Sequence, residues 1–227
     1  MNDSHSRAES EELARLKADV LETAREMDRS GLTEGTAGNV SGRTARGEVV
    51  LTPTAMRYSE MSVEDLCVTD LAGQQFASRR PTTTEIELHL ACLRRHSDIR
   101  AVVHTHAVHA SMFAVAHQSI PCVLEEFEYS VGGDVLVTPY HRTGTTELGP
   151  AVAELLSDRA AALIANHGLV VVGATPSEAL QLTKLVERAA RIIWGARVLG
   201  EPVPLPESVR REFSTAYLER RKRSHKD

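Results

Sequence analysis

The segment AALIANHGLVVVG, residues 161–173, constrains the fold more than any other stretch. Two short apolar runs, ALIA and LVVV, are broken only by Asn166, His167 and Gly168. Runs of this length and branching read as buried strands, and Asn-His-Gly reads as the turn between them. AVVHTH, residues 101–106, is a third run of the same kind, and VLVTPY, residues 135–140, a fourth. Between them the period changes to that of a helix. Leu16, Val20, Leu21, Ala24 and Met27 share a stripe in a first helix running from Leu13, with Ser10 as N-cap, Glu11 and Glu12 in the first turn and Gly31 as stop. Ile86, His89, Leu90 and Leu93 form a second stripe over residues 84–95, and AVHASMFAVAH and TELGPAVAELLSD follow. Pro176 opens a long helix, and a last one begins near Glu207. Short strands are expected around Val49–Leu51, at Leu66–Thr69 and near Gln75 and Phe76, with Gly73 in the turn.

This mixed order predicts an α/β protein in three layers, a central, mostly antiparallel sheet flanked by helices. The 227 residues suit one domain over 1–227, with residues 1–10 and 222–227 flexible. No apolar run approaches the roughly 18 residues of a membrane span. The 26 basic residues against 31 acidic ones disfavour nucleic acid and anionic lipid as partners. Cys67, Cys92 and Cys122 lack CxxC spacing, so neither a disulfide framework nor a thiolate zinc site is expected. The polar start MNDSHSRAESEE lacks the apolar stretch of a signal peptide, which predicts a cytoplasmic protein.

Ten histidines in this composition point to imidazole chemistry, so their positions matter. On a strand, His104 and His106 project from one face about 7 Å apart, a spacing that lets both reach one ion. HxH alone is equally the pattern of two hydrogen-bonded core histidines. His167 offers a third nitrogen, because an imidazole interrupting an apolar run is costly without a partner. Three neutral imidazoles with an open fourth position describe a site for Zn²⁺ or a similar divalent ion. His109 could add a further nitrogen or simply begin the next helix. His89 lies on an apolar stripe and reads as a core histidine, and His5, His96, His117, His141 and His225 read as surface residues. Glu85 follows Thr82, Thr83 and Thr84 at a helix start, where it fits a general base and equally an ordinary first-turn glutamate. GTAGNVS, residues 35–41, allows close backbone approach to phosphate oxygens, and a tight turn explains it as well.

GLTEGTAGNVSGR, LTPTAMRYSEM, PTTTEIELHLA, AVVHTHAVHA and ANHGLVVVG occur in the order found in the class II aldolase/adducin family, which the chain resembles over roughly residues 13–200. The resemblance implies that His104, His106 and His167 bind Zn²⁺ and that Glu85 is the catalytic acid/base. It implies phosphate contacts from Thr36, Asn39, Thr54, Thr83 and Thr84. Relatives commonly have Ser-Ser where this chain has Thr83-Thr84, and Gly at Ala55. Tyrosines of a neighbouring subunit and of the C-terminal segment act on the aldehyde side in such enzymes, and Tyr129 and Tyr217 are the candidates here. The implied activity is cleavage of a ketose 1-phosphate to dihydroxyacetone phosphate and an aldehyde through a metal-stabilised enediolate, in a homotetramer with sites at subunit interfaces. Sugar-phosphate 4-epimerases, which typically carry Asp in place of Glu85, and decarboxylases and dehydratases share the scaffold. A non-catalytic adducin-like module lacks the metal histidines.

Overall fold

In the computed structural model, which describes residues 2–223, one eight-stranded sheet carries helices on both faces. The strands are β1 (Asn39–Arg43), β2 (Val49–Leu51), β3 (Cys67–Thr69), β4 (Gln75–Ala77), β5 (Ala101–Thr105), β6 (Leu136–Val137), β7 (Ala161–Ile164) and β8 (Gly168–Gly173). Their order across the sheet is β4-β3-β2-β1-β5-β8-β7-β6, and only β6 and β7 pair in parallel. The expected mostly antiparallel, helix-flanked sheet is therefore the observed one. Strand β5 is central because it is apolar on both faces and finds an antiparallel neighbour on each side.

Side-chain alternation sorts the core into two halves. Val40, Val50, Ala101, Val103, Leu169 and Val171 face one layer, built from α1 (Asn2–Arg29), α3 (Val108–Val115), α4 (Glu125–Val131), α6 (Pro176–Leu199) and α7 (Glu207–Arg223). Val49, Leu51, Val102, Val170 and Val172 face the other, built from α2 (Ile86–Arg95) and α5 (Leu148–Leu155). The same alternation puts Asn39, Ser41 and His104 on the α2 side. No helix among the described residues is long and apolar enough to cross a membrane.

Several expectations need correction. The first helix begins at Asn2, so Ser10 lies inside it and caps nothing. The α7 helix reaches Arg223, and residues 224–227 lie outside the described part, as does the side chain of His5. VLVTPY yields only a two-residue strand, because Pro139 cannot continue a ladder. EEFEYSV forms α4; its short apolar face, Phe127 and Val131, is too brief for a periodicity to stand out in the sequence. The α6 start is as expected: Thr175 accepts the amide of Glu178, and Pro176 occupies the first turn.

Helices α2 and α5 touch at Gly149, where a Cβ would lie 2.7 Å from both the Ala91 Cβ and the Glu87 carbonyl oxygen. Gly149→Ala should therefore cost about 1–3 kcal/mol by overpacking. A urea midpoint equal to that of the parent protein would show that the helices can separate freely.

Candidate metal centre and active site

His104, the fourth residue of β5, is paired in register with Asn39 on β1 and Val170 on β8 and is fully buried. Its Nδ1–H donates to the Leu169 carbonyl oxygen at 3.0 Å. That bond fixes the tautomer and turns the bare Nε2 inward. His106 lies one residue beyond β5, so the HxH pair straddles the strand end rather than sitting wholly on it. His167 comes from the β7–β8 turn, where Asn166 takes a left-handed conformation at φ +55° and bonds His117 through its side chain at 2.6 Å. A Cβ at Gly168 would lie 2.4 Å from the Thr105 carbonyl oxygen and 3.0 Å from His106 Cδ2, so glycine lets this turn lie against the end of β5. The three rings close into a triangle with centroid separations of 5.1, 4.8 and 4.8 Å, and their ligand atoms all lie within 4.8 Å of one another.

Glu85, the N-cap of α2, enters the same space from the adjacent layer. Its Oε2 lies 3.3 Å from His104 Nε2 and accepts the Asn39 amide at 2.9 Å. Its Oε1 lies 3.7 Å from His167 Nε2 and is buried without a hydrogen-bond partner. Burial acts to raise the Glu85 carboxyl, but His104, the Asn39 amide and His167 outweigh it and hold the group below the ordinary glutamate range. Burial pushes His104 down to about 4, opposed by Glu85, and also lowers His106. At neutral pH the site thus sets an ionised carboxylate beside the neutral rings of His104 and His106.

A divalent cation fits this donor set. His104 Nε2 carries a lone pair, faces His106 Nε2 at 3.2 Å, and has no protein donor assigned to it other than that ring. Glu85 Oε1 is likewise an acceptor without a donor. Both are satisfied by a positive charge among them, and three imidazole nitrogens are the ligands of open-sided catalytic divalent sites. His106 and His167 line a cleft of about 780 Å³ together with Thr33, Glu34, Met112 and Val115.

The expected phosphate residues gather around Glu85 in part. Pro53 and Thr82 form an isolated bridge and the Thr54 amide donates to the Pro81 carbonyl, so the LTPTA and PTTTE loops lie side by side. Thr83 is buried, and its hydroxyl accepts the Asn39 amide at 3.1 Å and the Glu85 backbone amide at 3.2 Å. Thr36 and Thr84 are exposed, and Thr54 is half-buried. Asn39, expected at the phosphate, spends both amide hydrogens on Glu85 and Thr83. Ala55 sits at φ +54°, a conformation that glycine adopts without strain.

The tyrosines are brought to each other and not to the histidines. Tyr217 is 5% exposed; it packs where a Gly132 side chain would go, and burial raises its hydroxyl against the effect of Arg221. Tyr129 is exposed, with Arg220 over its ring and Phe213 at its edge. His109 opens α3 and bonds Glu187 at 2.7 Å, so it is no fourth ligand here. His89 is a buried core residue as expected, but it bonds Ser41 and Asn39, a link to Glu85 for which the sequence carries only the i, i+4 spacing.

A fold with one buried carboxylate beside three histidines at the end of a central strand is that of a class II aldolase, and the family comparison agrees: residues 18–194 match the class II aldolase and adducin N-terminal domain model, and the chain belongs to that family. It is 33% identical to 5-deoxy-D-ribulose 1-phosphate aldolase of Bacillus thuringiensis over 86% of this chain and 92% of that one. It is also 33% identical to L-fuculose phosphate aldolase of Escherichia coli, over 84% and 88% of the two chains. Among solved structures, an L-fuculose 1-phosphate aldolase superposes with a TM-score of 0.85 at 27% identity, covering 90% of this chain and 96% of that one.

His89 and His104 are held far below the ordinary histidine pKa of about 6.5, His89 at about 3. The unfolded chain therefore binds more protons than the folded one between about pH 6.5 and 4, and stability rises with pH across that window. Chelator-treated protein should have a constant denaturant midpoint above pH 6.5 and a falling one below it. A midpoint unchanged between pH 7 and 4.5 would contradict the burial of neutral rings.

Proposed function

We propose that this protein is a Zn²⁺-dependent aldolase that cleaves a ketose 1-phosphate to dihydroxyacetone phosphate and an aldehyde. The observation that carries this reading is the Glu85 carboxylate 3.3 Å from the inward Nε2 of His104 in a three-histidine site. His104, His106 and His167 would hold the ion, which, when bound, supplies the positive charge that draws electron density onto the substrate's carbonyl oxygen. As the C3–C4 bond breaks, its electron pair passes to the C3 side and the C4 hydroxyl gives up its proton to form the aldehyde; the ionised Glu85 carboxylate takes up that proton by way of solvent and delivers it to C3. A carboxylate held ionised takes up and releases that proton, and the Asn39 bond keeps one of its oxygens fixed.

Thr36, Thr54, Thr83 and Thr84 supply hydroxyls for the phosphate, and Asn39 contributes to that pocket by holding Thr83. Fixing the phosphate there positions the reacting carbons beside Glu85. Tyr129 stands on the outer surface, where a homotetramer could present it to a neighbouring copy's site; Tyr217, buried in its own subunit, anchors α7. The relatives named for 5-deoxyribulose 1-phosphate and for fuculose phosphate are equally similar at 33%, so both sugars belong in the assay.

Zinc-loaded protein should release dihydroxyacetone phosphate from one or both, lose the activity on chelation and regain it with Zn²⁺. His104→Ala and His167→Ala should each lose stoichiometric metal and turnover. Glu85→Gln should keep the metal and lose about 10²- to 10⁴-fold in kcat. Full activity without metal, or ordinary turnover by the Glu85 variant, would overturn the proposal.

A further inference from the structure

We propose that His89 is a positioning residue for Glu85, acting through Asn39 in a one-way hydrogen-bond relay, Ser41–His89–Asn39–Glu85. The four residues come from two elements. Asn39 and Ser41 share the α2-facing side of β1, and Glu85 and His89 are four residues apart, one turn along α2. Ser41 and His89 are 0% exposed, Asn39 4% and Glu85 8%, so water cannot supply alternative partners. The links are 2.7 Å from Ser41 Oγ to His89 Nδ1, 2.5 Å from His89 Nε2 to Asn39 Oδ1, and 2.9 Å from Asn39 Nδ2 to Glu85 Oε2.

Every polarity in the chain follows from its carboxylate end. An ionised Glu85 only accepts, so Asn39 must turn its Nδ2 hydrogens to Glu85 and to Thr83. Asn39 Oδ1 therefore faces His89 and needs a donor, which must be the Nε2–H. A neutral imidazole protonated on Nε2 has a lone pair on Nδ1, and the Ser41 hydroxyl, a rotatable donor, points at it. With His89 in the opposite tautomer, two lone pairs would meet at Asn39, and the amide would turn over and set Oδ1 against the Glu85 carboxylate. His89 thus selects the one Asn39 orientation that holds Glu85 Oε2 and leaves Oε1 free toward His167.

A ring that merely fills the core predicts something different from a relay. Gln at position 89 also carries a donor and an acceptor about 2.2 Å apart, near the spacing of the two ring nitrogens, whereas Leu fills space and offers neither. With the zinc-loaded enzyme, His89→Leu should lower kcat about 10- to 100-fold, with KM within about twofold and one metal per chain retained. His89→Gln should recover most of that loss. Ser41→Ala, a smaller change that removes only the terminal donor, should lower kcat about 3- to 10-fold in the same manner. It decides the question if His89→Leu does not fold.

The kinetic arm rests on the aldolase reading, and a second arm does not. Nitrogen-15 NMR of histidine-labelled wild-type protein, with His89 assigned by its loss in His89→Gln, should show a neutral Nε2–H ring at pH 7.5. An Nδ1–H tautomer or an imidazolium at position 89 would overturn the relay, as would wild-type kcat in folded His89→Leu or Ser41→Ala. A wild-type enzyme inactive on every ketose 1-phosphate but carrying the Nε2–H tautomer would instead sink the aldolase reading and leave the relay geometry standing.

Discussion

The burial of a neutral imidazole at the centre of the sheet is the constraint on which the rest of the site depends. His104 lies on the middle strand, held on one side by β1 and on the other by β8, so it cannot shift without breaking two ladders. A buried ring needs both nitrogens satisfied. The Leu169 carbonyl accepts the Nδ1–H, and the remaining lone pair, on Nε2, faces His106. His106, His167 and Glu85 are arranged about that lone pair, from the strand end, the neighbouring hairpin turn and the start of α2. The site is thus built by regular elements and one tight turn rather than by long loops, which keeps its geometry within the tolerance that proton transfer demands.

Much of this was legible from the residues. Apolar β-branched runs marked β5, β7 and β8, and the histidines interrupting them stood out because an unpartnered imidazole in such a run is costly. Glu85 showed itself as an acid at a helix start, and the structure carries it inward because α2 lies against β1 and β5. What stayed hidden depends on register. Asn39 could be seen to be polar in a loop-to-strand segment, but its position opposite His104 follows from the β1–β5 pairing, which no local pattern encodes. His89 on an apolar stripe looks the same whether it fills the core or orders a neighbour. Tyr217 illustrates the reverse case: the family resemblance suggested the aldehyde side, while the space beside Gly132 takes its ring inside the same subunit.

The Thr83 loop connects these parts. Its hydroxyl accepts from Asn39 and from the Glu85 backbone amide, so the same few hydrogen bonds join the segment expected at the phosphate to the carboxylate expected at the carbon. A buried polar network is stabilising only when every member is satisfied, since a single missing donor carries the full cost of desolvation. In this one the protein supplies every partner from Ser41 through to Glu85 Oε2 and then stops: Oε1 is buried without a donor, and the inward His104 nitrogen meets only the His106 ring. Folding therefore leaves Oε1 unpaired at the place where the proposed chemistry puts a cation and a substrate proton. The satisfied remainder of the network keeps the carboxylate from turning aside to pair it.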